Sequence, residues 1–323
     1  MKMIRNSLFA GFAAAALSVA GAASAQTVSI STLPPGAINN VQTQAIAKVV
    51  QEETGLQMRV VTFNSPAASM QAVQERMAEF SFMSTDEVGA AVNGRDMYGD
   101  MKMPDLHLVA RVFPFKVGIV VTKESGIRSI EDLRGKRFPV GWQGFRQGVY
   151  LSEALLAAGG LTYDDVDGVA VTNLIRAADD LKAGRLDATM FAIGAPKMAE
   201  LDAALGGIHF ISLPDTPEAR ERMAAVRPEY GIASQAAAPF LHGVEDGSNL
   251  MEYGMTVVAN ADVDEETAYQ VAKTLYENKE GLVAGHPSFN ALIPDELASQ
   301  QPGVSYHPGA IRFYKEVGIW PEG

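Results

Sequence analysis

The sequence predicts an α/β protein of two lobes joined by two long strands. Short apolar runs typical of buried strands alternate with amphipathic helical patterns, which indicates mostly parallel sheet covered by helices. The alternation is broken twice, at 106–123 and at 250–260, where the chain carries long extended runs. Because these runs separate the two alternating series, we expect both to cross between the lobes and to leave a ligand crevice at the carboxyl ends of the strands.

The first alternating series forms the first lobe. Strands are predicted at 28–32, 56–63 and 80–84. Each is followed by a helical pattern, and the first helix ends at Gly55, the residue type that most often follows a helix. Pro66 lies in the first turn of the second helix, and Asp86 lies near the start of the third.

The run 106–123 is rich in Val, Ile and Phe and is expected to be interrupted at Pro114. A second series follows, with a helix near Ile130 and then alternating strands and helices up to residue 213. The run 250–260 is followed by a helix over 264–281. The predicted divisions are a signal peptide at 1–25, a first lobe at 26–119 plus 255–323, and a second lobe at 120–254.

The amino-terminal segment predicts export. Lys2 and Arg5 precede an apolar run over about 8–20, and small residues follow up to Ala25. This pattern is typical of a secretory signal peptide, so the mature chain is expected to begin at Gln26 and to be soluble in the periplasm. The alternative is a membrane anchor, for which the run is short of the about 20 residues that span a bilayer.

Composition excludes several kinds of partner. The chain has no cysteine, so it can form neither a disulfide nor a thiolate metal site. Without the signal segment it has 24 basic and 38 acidic residues, a formal charge of −14. This charge argues against nucleic acid and anionic membranes as partners. An anionic ligand would therefore need a locally positive pocket. A monomer is expected.

The sequence gives no sign of catalysis. Its five histidines show neither H-x-x-x-H nor H-E-x-x-H spacing, and G-x-S-x-G and Walker A motifs are absent. We therefore expect no enzyme activity, no metal and no cofactor, although a zinc site assembled only in three dimensions stays open.

The loop GWQGFRQG, residues 141–148, lies between a predicted strand and the start of a helix, a usual geometry for anion binding. Arg146 opposes the helix dipole there unless it meets an anion. Trp142 would supply a flat apolar wall. In the alternative interpretation, the glycines only make turns, and Trp142 and Phe145 are packing residues.

Three further junctions between a strand and a helix carry small or polar residues, in FNSP, MSTDEV and FAIGAP. Helix capping alone explains any one of them. Four such junctions spread over both lobes are what a crevice lined by backbone N–H groups requires.

Several segments resemble the TAXI-type solute receptors of TRAP transporters, periplasmic proteins that deliver small organic anions to a membrane permease. They include AGRLDATMFAIGAPKMAEL, TAYQVAKTLYENKEGLVAGHPSF and HPGAIRFYKEVGIW, and the resemblance covers nearly the whole mature chain. It implies a two-lobed fold like that of type II periplasmic binding proteins. MSTDEV corresponds to the family's glutamine-serine-aspartate element and retains Asp86.

Two loops depart from the family's pattern. STLPPGAINNVQ stands where family members have a glycine-rich loop and a tyrosine, and GWQGFRQG is bulkier and more cationic than the usual loop of Gly, Ser and Thr. Since both loops face the expected pocket, the resemblance does not carry over a specific ligand.

We therefore predict a receptor that closes its lobes on a small carboxylated solute and delivers it to TRAP permease subunits, with Arg146 as the carboxylate partner. The predicted ligand-binding residues are Thr32, Asn39, Asn40, Asn64, Ser65, Ser84, Thr85, Asp86, Trp142, Gln143, Gly144, Phe145, Arg146, Gln147, Gly194, Ala195 and Pro196. The alternatives are a periplasmic enzyme on the same fold and a receptor of the tripartite tricarboxylate system. The LPPG near the first strand faintly resembles the latter, but the downstream segments fit that family poorly.

Overall fold

The structure, a computed structural model, describes residues 26–321, so the predicted signal peptide lies outside the described residues. The strands are β1 Thr27–Thr32, β2 Gln57–Thr62, β3 Phe80–Ser84, β4 Leu106–Thr122, β5 Arg137–Val140, β6 Asp167–Ala170, β7 Ala188–Ala192, β8 Ile208–Phe210, β9 Gly231–Gln235 and β10 Ser248–Asn260. The α-helices are α1 Ile38–Thr54, α2 Pro66–Gln74, α3 Thr85–Asn93, α4 Gln147–Ala158, α5 Leu174–Lys182, α6 Pro196–Ala204, α7 Pro217–Val226, α8 Glu265–Glu277, α9 Lys279–Gly285 and α10 Pro308–Glu316.

Eight strands form one sheet with the order β2-β1-β3-β10-β4-β7, in which β8 also pairs with β4 and β9 with β10. Strand β1 runs parallel to β2 and β3, and β5 and β6 form a separate parallel pair. The antiparallel strands β4 and β10 join the lobes. At about 3.3 Å per residue, the 17 residues of β4 extend roughly 56 Å, enough to pass through both lobes.

The change of partners along these two strands locates the lobe junction. In β10, residues from Met255 onward pair with β3 of the first lobe, and residues up to Glu252 pair with β9 of the second. In β4, pairing with β7 of the second lobe begins at Val117. The junction in β4 therefore lies a few residues before the predicted boundary between 119 and 120.

The predicted interruption at Pro114 is wrong, because β4 continues through it. Pro114 lies opposite Gly254 at the lobe junction, and its ring is exposed. A proline removes one ladder hydrogen bond and is tolerated where pairing is irregular. The register of β4 and β10 shifts just beyond this point, between Met255 and Thr256.

Helices pack around the strands in both lobes. Helices α1 and α2 contact β1 and β3, and α8 and α10 pack together beside β4, whereas α4 and α7 pack together in the second lobe. Helix α7 and strand β9 were not predicted, and the expected helix near Ile130 is a 3₁₀ turn at Glu131–Leu133. Within residues 26–321, no helix combines the length and apolar character needed to cross a membrane.

Candidate functional site

A small cavity of about 30 Å³ lies between the lobes, beside the two crossing strands. Its walls are mainly apolar and come from both lobes. The lining residues are Leu33, Asn39, Pro66, Met83, Ser84 and Met255 from the first lobe, Phe145, Gln147, Leu151, Leu174, Met190 and Ala192 from the second, and Phe115, Val117 and Tyr253 from the crossing strands. None of these residues carries a formal charge.

Five helices begin at this cavity. Asn39 is the second residue of α1, Pro66 the first of α2, Gln147 the first of α4 and Leu174 the first of α5, while Ser84 immediately precedes α3. Helix amino termini carry partial positive charge and unpaired N–H groups. Their convergence makes the cavity favourable for an anionic group without a lysine or arginine in its lining.

The volume of the cavity shows that the cleft is closed. A water molecule occupies about 30 Å³ of liquid, whereas pockets for organic ligands measure about 300–1,000 Å³. An organic solute can therefore enter only if the lobes separate or the lining side chains move.

A buried polar cluster beside the cavity connects the lobes, and we call it the interlobe cluster. Its members are Ser84, Asp86, Glu87, Asp96 and Tyr98 of the first lobe and Gln147, Tyr150, Arg227 and Tyr230 of the second. Arg227, at the end of α7, is only 2% exposed. Because charged groups are rarely buried without partners, the contacts of Arg227 decide whether this arrangement is stable.

The Arg227 guanidinium faces three carboxyl groups of the first lobe. Its Nη2 lies 2.9 Å from a carboxylate oxygen of Asp96, and its Nη1 lies 3.6 Å from Asp86 and 3.7 Å from Glu87. Its other face covers the Tyr150 ring, with 4.0 Å between Cζ and the ring centroid. The guanidinium therefore joins the lobes through attraction to several acidic groups.

Asp86 accepts hydrogen bonds from the second lobe. The Tyr230 hydroxyl donates to its Oδ2 at 2.7 Å, and Gln147 Nε2 donates to both carboxylate oxygens at 3.3 Å. Gln147 Nε2 also donates to Ser84 Oγ at 2.9 Å. Since Ser84 and Gln147 line the cavity, the cluster and the cavity share side chains.

The protonation of Glu87 reflects its burial. Desolvation, followed by repulsion from Asp86, raises the pKa of Glu87 to about 8, although the Tyr98 hydrogen bond and Arg227 act in the opposite direction. Glu87 is therefore mainly neutral at pH 7. Burial also raises the pKa of Tyr230 far above its usual value, which keeps its hydroxyl as a donor. Neutral groups reduce the electrostatic cost of closing the lobes over this cluster.

Four predicted site residues line the cavity: Asn39, Ser84, Phe145 and Gln147. Asn64 does not, but it lines with Phe145 a smaller cavity of about 10 Å³ that also reaches Leu174. Asp86 lies in the interlobe cluster. The structure thus brings residues from all four predicted junctions to one place, because Pro66 of FNSP and Ala192 of FAIGAP also line the cavity.

Other predicted residues of the first lobe have structural contacts. Thr32 accepts a hydrogen bond from Thr43, and the Asn40 side chain donates to the Leu33 carbonyl. Ser65 caps α2 by accepting from the Ala68 N–H, and the Thr85 carbonyl accepts from Gln301. In this closed structure these groups stabilise the wall of the cleft, and they do not line the cavity.

The loop 141–148 differs most from expectation. Trp142 is 0% exposed and lies in the core of the second lobe, where a Cβ on Gly148 would come within 2.4 Å of its ring. The prediction that Trp142 is an apolar wall of the cleft is therefore corrected, because its ring points inward. Gln143, Gly144 and Arg146 are exposed and do not line the cavity, so the structure does not place Arg146 against a ligand there.

In the junction FAIGAP, Ala192 lines the cavity, whereas the predicted site residues after it contact the first lobe. Gly194 has a left-handed backbone, with φ of 70°, and a Cβ there would lie 3.1 Å from Leu241 and 3.5 Å from Ile38. Ala195 is buried and Pro196 is exposed. These residues contribute to closure where the lobes meet.

Sequence reasoning missed Arg227 and Tyr230. They follow α7, which was not predicted, in the segment VRPEYG at 226–231. The available signal was a cation at a helix end, followed by a proline and an aromatic residue. This pattern does not indicate which residues the cation contacts. Among residues 26–321 no cluster of three or more His, Asp or Glu side chains is placed to hold a metal ion.

The fold and the closed cleft define a two-lobed α/β protein with the architecture of periplasmic binding proteins. A protein from Bordetella bronchiseptica has a similar structure, with a TM-score of 0.55 and 16% identity over 90% of this chain and 98% of the other. PhnD1 from Prochlorococcus marinus, in complex with methylphosphonate, gives 0.53 and 12% over 92% and 100% of the two chains.

A third similar structure is the amino acid ABC transporter substrate-binding protein AbpA from Streptococcus pneumoniae, bound to L-arginine. It gives a TM-score of 0.51 and 15% identity over 82% of this chain and 95% of the other. At these identities the likeness concerns the fold alone. The chain belongs to the NMT1-like family, whose family model matches residues 36–318.

Proposed function

We propose that the protein is a periplasmic solute-binding receptor, which captures a small organic solute between its lobes and delivers it to a membrane transporter. The observation that carries this proposal is the cavity enclosed by both lobes, where five helices begin. Similar folds hold methylphosphonate in PhnD1 and L-arginine in AbpA, which supports the same kind of function here.

The residues that line the cavity indicate the chemical class of the proposed ligand. Apolar side chains such as Leu151, Leu174 and Met190 favour an apolar body, and the helix amino termini favour an anionic group. A small carboxylated solute has both properties. We propose that backbone N–H groups hold its carboxylate, because none of the described side chains that line the cavity is cationic.

Closure would proceed by bending of β4 and β10 at the lobe junction. A ligand that contacts both lobes binds the closed state better than the open state and so shifts the equilibrium toward closure. The interlobe cluster forms only when the lobes meet, so it would stabilise the same state.

Three kinds of membrane transporter are candidates for the partner of this receptor. The resemblance of AGRLDATMFAIGAPKMAEL and HPGAIRFYKEVGIW to TAXI receptors favours a TRAP permease. The fold shared with AbpA, a receptor of an ABC transporter, favours an ABC importer, and membership of the NMT1-like family also agrees with a tricarboxylate-type receptor. Adjacent genes distinguish them, since each system has a different set of membrane subunits.

A blocking variant tests the proposal. Ala192 lines the cavity, so Ala192→Leu should fill it and abolish the stabilisation by organic acids in a thermal-shift screen. Ala170→Leu is the matched control, because Ala170 is an exposed residue at the end of β6. Equal stabilisation of both variants would contradict the assigned site. Recovery of the ligand unchanged after hours would support binding, whereas turnover would support the alternative of an enzyme.

A further inference from the structure

The Gln147 side chain lies between the cavity and the interlobe cluster. It is buried and lines the cavity, and its amide nitrogen is directed to Ser84 and Asp86 of the opposite lobe. An amide side chain has one oxygen that accepts and one nitrogen that donates. Which of the two faces the ligand depends on what the other end contacts.

Asp86 fixes the direction of this amide. One of its oxygens accepts a hydrogen bond from the Tyr230 hydroxyl at 2.7 Å and lies 3.6 Å from the Arg227 guanidinium. A carboxylate only accepts hydrogen bonds. If the Gln147 amide were turned over, its oxygen would face both carboxylate oxygens at about the 3.3 Å now occupied by the nitrogen. That arrangement is repulsive, so the nitrogen must face Asp86.

Two polar groups then remain for the ligand. Among the described residues, none donates a hydrogen bond to Gln147 Oε1. Ser84 Oγ accepts from Gln147 and does not cap α3, so its hydrogen is also available. An acceptor and a donor therefore lie side by side on the cavity wall.

We propose that Asp86 is a positioning residue that turns the Gln147 oxygen toward the ligand, and that the ligand presents an O–H or N–H donor to that oxygen. This inference rests on the proposed function and narrows its ligand class to solutes with a donor beside the apolar body, such as hydroxy acids. Because Gln147 and Asp86 belong to different lobes, the selection operates only in the closed state.

Matched ligands test the inference by calorimetry. The probes are 2-hydroxyisovalerate, which has a donor, and 2-oxoisovalerate, which has the same carbon skeleton without one. Leaving a buried acceptor unpaired weakens binding, so the hydroxy acid should bind about tenfold more tightly than the oxo acid. Equal affinities, or tighter binding of the oxo acid, would overturn the inference.

Variants show whether Gln147 and Asp86 cause the preference. Gln147→Met should reduce the affinity ratio to about one, whereas Gln71→Met, on the exposed face of α2, should leave it unchanged. Asp86→Asn allows the Gln147 amide to turn over, so the ratio should fall or reverse. A ratio that survives both Gln147→Met and Asp86→Asn would assign the preference to other residues.

A measurement without ligand separates this inference from the proposed function. In nitrogen-15 NMR of the full mature chain, the Gln147 side-chain amide should exchange slowly with water, and Asp86→Asn should accelerate that exchange. Identical fast exchange in both proteins would overturn the orientation. If the amide is protected but neither probe binds, the result counts against the proposed ligand class and leaves the orientation of Gln147 supported.

Discussion

Two segments of the second lobe differ in how clearly their sequences indicate binding. Residues 141–146, the part of the loop GWQGFRQG that precedes α4, have an obvious binding pattern, and the segment 226–231 does not. The loop has glycines, a tryptophan and Arg146 before a helix. In the structure its tryptophan faces the core and its arginine faces solvent. The segment 226–231 lacks a recognisable motif, yet its Arg227 and Tyr230 contact the first lobe inside the closed cleft.

This difference shows what local sequence can and cannot specify. Glycines and a helix start predict a loop at a strand end, but they do not predict the direction of each side chain. Trp142 has a positive φ of 43°, a conformation that few residues other than glycine adopt. The role of Arg227 depends on Asp86 and Glu87, which lie about 140 positions away in the chain. No local sequence pattern indicates that these residues are its partners.

The largest expected effect is at Arg227. Arg227→Met removes the cation between Asp86 and Asp96, and breaking a buried ion pair in this way costs about 3–5 kcal/mol. Urea unfolding monitored by circular dichroism measures the change. Arg146→Met is the matched control and should change the free energy of unfolding by less than about 0.5 kcal/mol, because Arg146 is exposed. Equal effects of both substitutions would remove the contrast between the two regions.

Glu87 makes the contribution of the interlobe cluster to stability depend on pH. Its pKa is about 8 in the folded protein and 4.5 as the reference, so its contribution to stability is full below pH 4.5 and is lost as the pH rises toward 8. Glu87→Gln keeps a neutral group at all pH values. Its free energy of unfolding should therefore increase relative to wild type between pH 5 and 8, by about 3 kcal/mol at pH 7.

Urea unfolding of both proteins at several pH values measures this difference, and other titrating groups cancel in the comparison. A difference that stays constant between pH 5 and 8 would show that Glu87 is not held neutral by its surroundings.

The inward position of Trp142 predicts a smaller effect. A methyl group at Gly148 would lie 2.4 Å from the Trp142 ring, so Gly148→Ala should destabilise the protein by about 1–3 kcal/mol through overpacking. Gly99→Ala is the control, since a methyl group there has no atom nearer than 3.9 Å. Thermal unfolding distinguishes them. A neutral Gly148→Ala would indicate that Trp142 can leave the core and face the cleft.

The smallest expected effect concerns ligand affinity. Arg146→Met should change the dissociation constant by less than about twofold, because its exposed side chain does not line the cavity. Calorimetry with a ligand that stabilises the wild type provides the test. A loss of tenfold or more would restore Arg146 as the carboxylate partner.

Much of the fold follows from the sequence because alternating patterns and helix starts are local properties. The strand end at Ser84 was predicted for this reason and lies at the cavity. Helix α4 begins at Gln147, earlier than predicted, because the sequence analysis placed Gln147 in the loop before the helix. Asp86 was also predicted, but its bond to Tyr230 joins residues 144 positions apart. Pro114 was misinterpreted because its tolerance within β4 depends on irregular pairing with β10, which is a tertiary property.

The central claim is that a small organic solute occupies the cavity between the lobes. Native mass spectrometry of the intact protein, purified from its own host without denaturation, tests it most directly when wild type, Ala192→Leu and Ala170→Leu are compared. We predict the same small-molecule adduct on wild type and Ala170→Leu, and none on Ala192→Leu, because Ala192 lines the cavity and Ala170 is exposed. An adduct retained by Ala192→Leu would contradict the claim.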